Sequence, residues 1–217
     1  MGSIARSAAN LITTSGVVLK GAVNNDSFDN VTALPSSFGD GITLISSQTA
    51  SNSASVSFTS GLTSTYKAYK FVFVNCHPVN DSVDFQFNLS TDSGSNYNVT
   101  KTTTAFRSYQ SESGTDTALE YRTDQDLAQS TAFQLLALGI GNGNDESCSG
   151  SLLLFNPSST TYVKHFIANL NDNTAADYSI NQFIAGYANT TSAINAIRFQ
   201  MSSGNIDAGT IYMYGIK

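Results

Sequence analysis

In Ile197-Arg198-Phe199-Gln200-Met201 every second residue is apolar, and the chain closes on Thr210-Ile211-Tyr212-Met213-Tyr214-Gly215-Ile216, a run of β-branched and aromatic residues. Successive side chains of a strand point to opposite faces, so a period of two with one apolar set describes a ribbon buried on one side. Between the two runs lies Ser202-Ser203-Gly204-Asn205-Ile206-Asp207-Ala208-Gly209. Its Gly, Asn and Asp residues tolerate positive φ or bond their own backbone. The stretch predicts a terminal β-hairpin, with the C-terminal arm stitched into a sheet.

Working back along the chain, strand signals recur at short intervals. Val56 and Phe58 alternate with Ser55, Ser57 and Thr59, and Val83, Phe85, Phe87 and Leu89 alternate with Asp84, Gln86 and Asn88. Tyr69 to Val74 is apolar at nearly every position, which predicts a central strand covered on both faces. Phe133 to Ile140, Ser151 to Phe155, Tyr162 to Leu170 and Ile180 to Tyr187 continue the series, separated by polar turns such as Asn156-Pro157-Ser158-Ser159. The signal weakens from Val99 to Arg122, a zone expected to form an extended, partner-facing surface. No fixed repeat and no long helix pattern interrupts the series. About ten strands with short loops predict an all-β fold over residues 39–217: an antiparallel β-sandwich, jelly-roll or a related Greek key.

Residues 1–38 differ. Ile4, Leu11, Ile12, Val18, Leu19 and Phe28 are too few to build a core, so this segment is expected to be an extended N-terminal arm that anchors the protein or joins subunits.

Charged residues make up 12% of the 217-residue chain, about half the usual share, and the net charge is -6. The few cations are scattered, which argues against a nucleic-acid groove and against an anionic membrane surface. No apolar run reaches the length of a membrane span, and the first residues do not read as an export signal, so synthesis in a cytoplasm followed by release on lysis is expected.

Several residues bear on chemistry. Cys76 and Cys148 are expected to be buried free thiols, a disulfide being the alternative. Of the histidines, His77 opens a Pro-containing loop, and His165, in step with Val163 and Ile167, is expected in the core or at a subunit contact. Neither has zinc-ligand spacing. The acid pairs Asp124/Asp126, Asp145/Glu146 and Asp172/Asp177 fall in expected loops, where solvated carboxylates are the ordinary reading. Gly141 to Glu146 has oxygen donors but departs from the EF-hand pattern, and a tight turn uses the same residues without an ion. No catalytic residue, metal site or cofactor is therefore expected. Tyr97, Tyr109, Tyr121, Tyr178 and Tyr187 are the candidate partner-facing residues, since phenol rings stack on sugar C–H groups while hydroxyls bind sugar OH.

The closing pattern, an Ile-rich strand, Gly204-Asn205-Ile206, then Gly209-Thr210-Ile211 and Tyr214-Gly215-Ile216-Lys217, resembles small β-sandwich virion proteins of tailed bacteriophages. The leader residues Ile4-Ala5-Arg6, the stretch Asn24 to Thr32 and the turn Ser90 to Tyr97 are similar to the same family. The resemblance implies a non-enzymatic virion protein on the particle exterior, attached through its arm to other virion proteins and assembled as a homo-oligomer, trimers being common. A tail fibre or receptor-binding protein meeting a host surface glycan leads. A capsid decoration or cement protein is the first alternative and a carbohydrate-binding lectin module the second.

Overall fold

The computed structural model describes residues 41–217, which form twelve strands. They are β1 (Ile42–Thr49), β2 (Val56–Phe58), β3 (Ala68–Pro78), β4 (Val83–Ser90), β5 (Lys101–Ser111), β6 (Thr117–Tyr121), β7 (Gln134–Ile140), β8 (Cys148–Phe155), β9 (Lys164–Asn173), β10 (Tyr178–Ala188), β11 (Ala196–Met201) and β12 (Ile206–Ile216). The expected arm residues Ile4, Leu11, Ile12, Val18, Leu19 and Phe28 lie outside the described residues.

Two sheets result, with every pairing antiparallel. The larger runs β1-β12-β3-β8-β9-β10-β5-β6 and the smaller β2-β11-β4-β7. Taken alone, β1-β12-β3-β8 facing β2-β11-β4-β7 is the interleaved strand order of a jelly roll. The remaining strands, β9-β10 and β5-β6, are two inserted hairpins that widen one sheet only. The structure thus bears out the all-β, antiparallel sandwich.

One expectation about the opening stretch is overturned. β11 and β12 do not form a hairpin: β11 pairs with β2 and β4 in the small sheet, while β12 pairs with β1 and β3 in the large one. The connecting residues cross between layers, so the buried set of β11 and that of β12 face each other across the core. Phe199 consequently stands at the centre of a ring cluster. Its centroid lies 5.0 Å from that of Phe73, 5.4 Å from Phe71 and 6.0 Å from Phe85, with Phe58 and Phe87 just beyond. Phe71 and Phe73 belong to the large sheet and Phe85 to the small one, so a single ring ties both layers together.

Two further corrections follow from the same geometry. Tyr69, Phe71 and Phe73 are fully buried, yet Val74 is 41% exposed, because only the inner face of β3 is covered among the described residues. In β9 the buried set is Lys164, Phe166, Ala168, Leu170 and Asp172, which puts His165 and Ile167 outside. The core half of the expectation for His165 is thereby corrected, because Lys164 and not His165 takes the inward position. The Lys164 Nζ reaches the carbonyls of Tyr162 and Thr190 at 2.9 and 3.1 Å, which satisfies the ammonium at the strand end.

β5 was only partly legible for the same reason. Its inward residues include Lys101 and Thr103, which the fold satisfies one by one. Lys101 Nζ donates to Asn88 Oδ1 at 2.5 Å and to the Val99 carbonyl at 2.9 Å; Thr103 Oγ1 donates to Gln134 Oε1 at 2.6 Å. Burial lowers the Lys101 pKa to about 7. Desolvation of a buried ion offsets much of what its partners supply. Lys101→Met is therefore expected to leave the denaturation midpoint unchanged or raise it; a lower midpoint would show that the Asn88 bond dominates.

Candidate functional site

The small sheet has half as many strands as the large one, and the inner face changes character where cover ends. Over β3 and β8 it is Phe and Leu; over β10 and β5 the polar Gln182, Lys101 and Thr103 are buried among Ile180, Ile184 and Ala105. Two rows of directly opposed residues show the change. One runs Glu120, Arg107, Gln182, Leu170 and Gly150, and the next Ala118, Tyr109, Ile180, Asp172, Cys148 and Cys76.

At the outer end of these rows is a cleft of about 430 Å³, within the usual range for a small-ligand site. Arg107, Tyr109, Asp116 and Tyr178 form one wall, Ile180 and Leu138 are among its apolar lining, and Gly139, Ser82 and the Thr174–Ala176 turn complete it. The local sequence explains why these elements meet. The β9–β10 turn docks on β7 through the Ala175 N–H to Gly139 carbonyl bond, 3.1 Å, and the Ser111 side chain accepts the Asp116 N–H at 3.0 Å, fixing the β5–β6 turn.

The rings of Tyr109 and Tyr178 meet edge to face at 5.7 Å, and the Arg107 guanidinium lies 5.0 Å from the Tyr109 ring centre. Tyr178 donates its hydroxyl to Asp116 at 3.0 Å, and this bond to a carboxylate raises the phenol pKa. Arg107 Nε is also bound to Glu120 at 2.8 Å, and Glu120 is shared with Arg122, which in turn holds Asp124. The hydrogen bonds from Arg122 and then Arg107 hold the Glu120 carboxyl below its ordinary range. The cleft wall is thus aromatic and hydrogen-bonding, with its one guanidinium already paired.

Behind this wall sit buried polar groups without partners. Gln182, opposite Arg107, has neither amide atom bonded, and neither carboxyl oxygen of Asp172 reaches bonding geometry. Asp172 is 1% exposed. Burial pushes its carboxyl well above the usual carboxylate range, opposed by the nearby Leu138 amide. The expectation that Asp172 is a solvated loop acid is corrected: it is an inward residue of β9. The alternation from Phe166 through Leu170 was the available signal, because it carries two residues further to Asp172.

The structure brings two of the five candidate tyrosines together, Tyr109 and Tyr178. The others are dispersed. Tyr97 lies under Arg198, whose guanidinium is 4.0 Å from the ring centre. Tyr121 donates to Asp126 at 2.6 Å at the end of β6, and Tyr187 lies beside His165 on the outer face, ring centres 6.1 Å apart. Arg107 and Asp116, which complete the wall, were not singled out from sequence.

Glu146 folds back to accept the Gly143 N–H, and the Gly143 carbonyl accepts from His77 Nε2 at 3.1 Å. His77 also lies 3.4 Å from Asp207. The carboxylate is committed to the turn itself, and among the described residues no group of three or more His, Cys, Asp and Glu side chains is placed to hold a metal ion. No helix of the described residues is long and apolar enough to cross a membrane. Comparison with protein-family models, with curated proteins and with solved structures finds no match.

Proposed function

We propose that the protein is a non-enzymatic attachment module of a tailed-phage virion, a receptor-binding or tail-fibre head whose cleft takes a neutral host-surface saccharide. The virion setting rests on the sequence resemblance; the binding role rests on the cleft. The observation that carries it is the convergence of Tyr109, Tyr178, Arg107 and Asp116 on one concave wall. Phenol faces suit sugar C–H groups, and a carboxylate beside a hydroxyl suits vicinal OH groups. Arg107 is already neutralised by Glu120, which disfavours a strongly acidic sugar. The nearby carboxylates are engaged, Asp116 by Tyr178 and Glu120 by two arginines, which favours binding over hydrolysis.

A second reading, a capsid decoration or cement protein, draws on the outer face of the large sheet. Leu119 is 73% and Ile167 55% exposed there, and the Phe106 and Phe183 rings stack at 4.8 Å. Exposed apolar surface of this kind suits contact with other virion proteins or between subunits of a trimer.

Glycan-array binding by the purified protein tests the first reading. Tyr178→Ala is expected to weaken the best glycan about tenfold or more, as for an aromatic anchor in a pocket. Equal binding by the variant, or binding only to assembled heads, would overturn it in favour of the second.

A further inference from the structure

We propose that Cys76 and Cys148 form a latent cross-strand staple, two thiols placed to close into a disulfide between β3 and β8 when the protein meets an oxidising medium. The two are directly opposed partners on antiparallel neighbours, and both are buried, at 1% and 0% exposure. Directly opposed residues of an antiparallel pair have Cα separations of about 4.5 or 5.5 Å, and both values fall within the window of about 4.4–6.8 Å that a disulfide spans. The hydrogen bond between the two thiols places the sulfurs side by side.

The juxtaposition is built by a bulge. From Phe73 the strict alternation of β3 would bring Asn75 and His77 inside and turn Cys76 out. Instead the register shifts between Phe73 and Cys76, with Asn75 in the left-handed region at φ 48°. The Asn75 N–H accommodates this by donating to Ser149 Oγ at 2.9 Å. On the other side of β3, Gly209 of β12 sits at φ 122° where a Cβ would come within 2.7 Å of Cys76 Cα. Two irregular strand segments therefore combine to place one thiol opposite the other.

The chemistry balances with a small disulfide as oxidant. One thiolate attacks the oxidant's S–S bond, forming a mixed disulfide and releasing one small thiol; the second thiolate attacks the protein-bound sulfur, forms the Cys76–Cys148 bond and releases the other. Two electrons and two protons pass to the oxidant. Hydrogen bonding from Cys76, together with burial, raises the Cys148 thiol above its ordinary range, so the native pair is slow to react and waits on opening of the bulge. The closed bond would link segments far apart in sequence, which restricts the unfolded chain.

The test is incubation of the native full-length protein with oxidised glutathione, an alkylating quench, and intact-mass measurement with peptide mapping. The expected result is a loss of about 2 Da, the two thiol hydrogens. A Cys76–Cys148 linked peptide and a thermal midpoint that rises on oxidation and returns with reductant accompany it. Cys148→Ser is expected to stop at the glutathione adduct on Cys76. Two unmodified thiols after prolonged exposure, stable glutathione adducts on both cysteines of the wild type, or a linked form with a lowered midpoint would each overturn the proposal.

Discussion

Phe199→Ala is expected to cost about 4 kcal/mol of unfolding free energy, the range found when a buried Phe is truncated in a core that cannot collapse around the void. Phe199 is fully buried and its ring meets rings from both sheets, so neither layer can close the cavity without moving the other. Domains of this kind are stable by only about 5–15 kcal/mol, so the loss is a large fraction of the whole. Phe106→Ala is the matched control: its ring stacks on Phe183, but it is 42% exposed on the outer face, and about 1 kcal/mol is expected. Chemical denaturation of both variants decides the matter. Comparable losses would mean that the sheets are not joined through Phe199, and with that the crossing of β11 and β12 between layers would fall.

Asp172→Asn is expected to stabilise the protein at neutral pH and to flatten its pH dependence. In the folded state burial raises the Asp172 pKa well above its ordinary value, so the native protein retains a proton that the unfolded chain releases. The native state then binds more protons, and stability falls as pH rises above the unfolded value of about 3.9, by up to a tenfold change in the unfolding constant per pH unit. Asp84, half-buried and also raised, adds in the same direction. The lowered carboxyls, Asp92, Glu120 and Asp124, act the other way, but their contribution is complete above the ordinary carboxylate pKa and is lost only in acid. Lys101, lowered to about 7, makes stability rise with pH only above that value. Between about pH 5 and pH 7 the raised acids therefore set the slope. Denaturation midpoints across that window are expected to fall for the wild type and to fall less steeply for Asp172→Asn, where only Asp84 is left to act; parallel profiles would show that Asp172 ionises freely and does not face inward.

Both predictions turn on residues whose role shows in sequence only by half. The alternation around Phe199 marked it as buried, but a period of two does not say which sheet a strand joins. Two consecutive strands with a polar loop fit a hairpin and a crossing between layers equally well, and here the partners β2, β4, β1 and β3 decide. Asp172 belongs to an alternating run whose parity was hidden by Lys164, a residue whose ammonium is received by one nearby carbonyl, that of Tyr162, and one from a distant segment, that of Thr190. Of the cleft, Tyr109 and Tyr178 were legible as aromatic residues in a polar region. Arg107 and Asp116 were not, since nothing local distinguishes them from solvated charges.

By itself the sequence determined the all-β class, the positions of most strands and the apolar face of the cleanly alternating ones such as β4 and β11, because those follow from local periodicity and turn chemistry. Only the tertiary structure decided how the strands are shared between the sheets, which polar residues are buried, and which tyrosines meet. Those outcomes depend on hydrogen-bond partners and register between segments distant in the chain, and no local pattern carries that information.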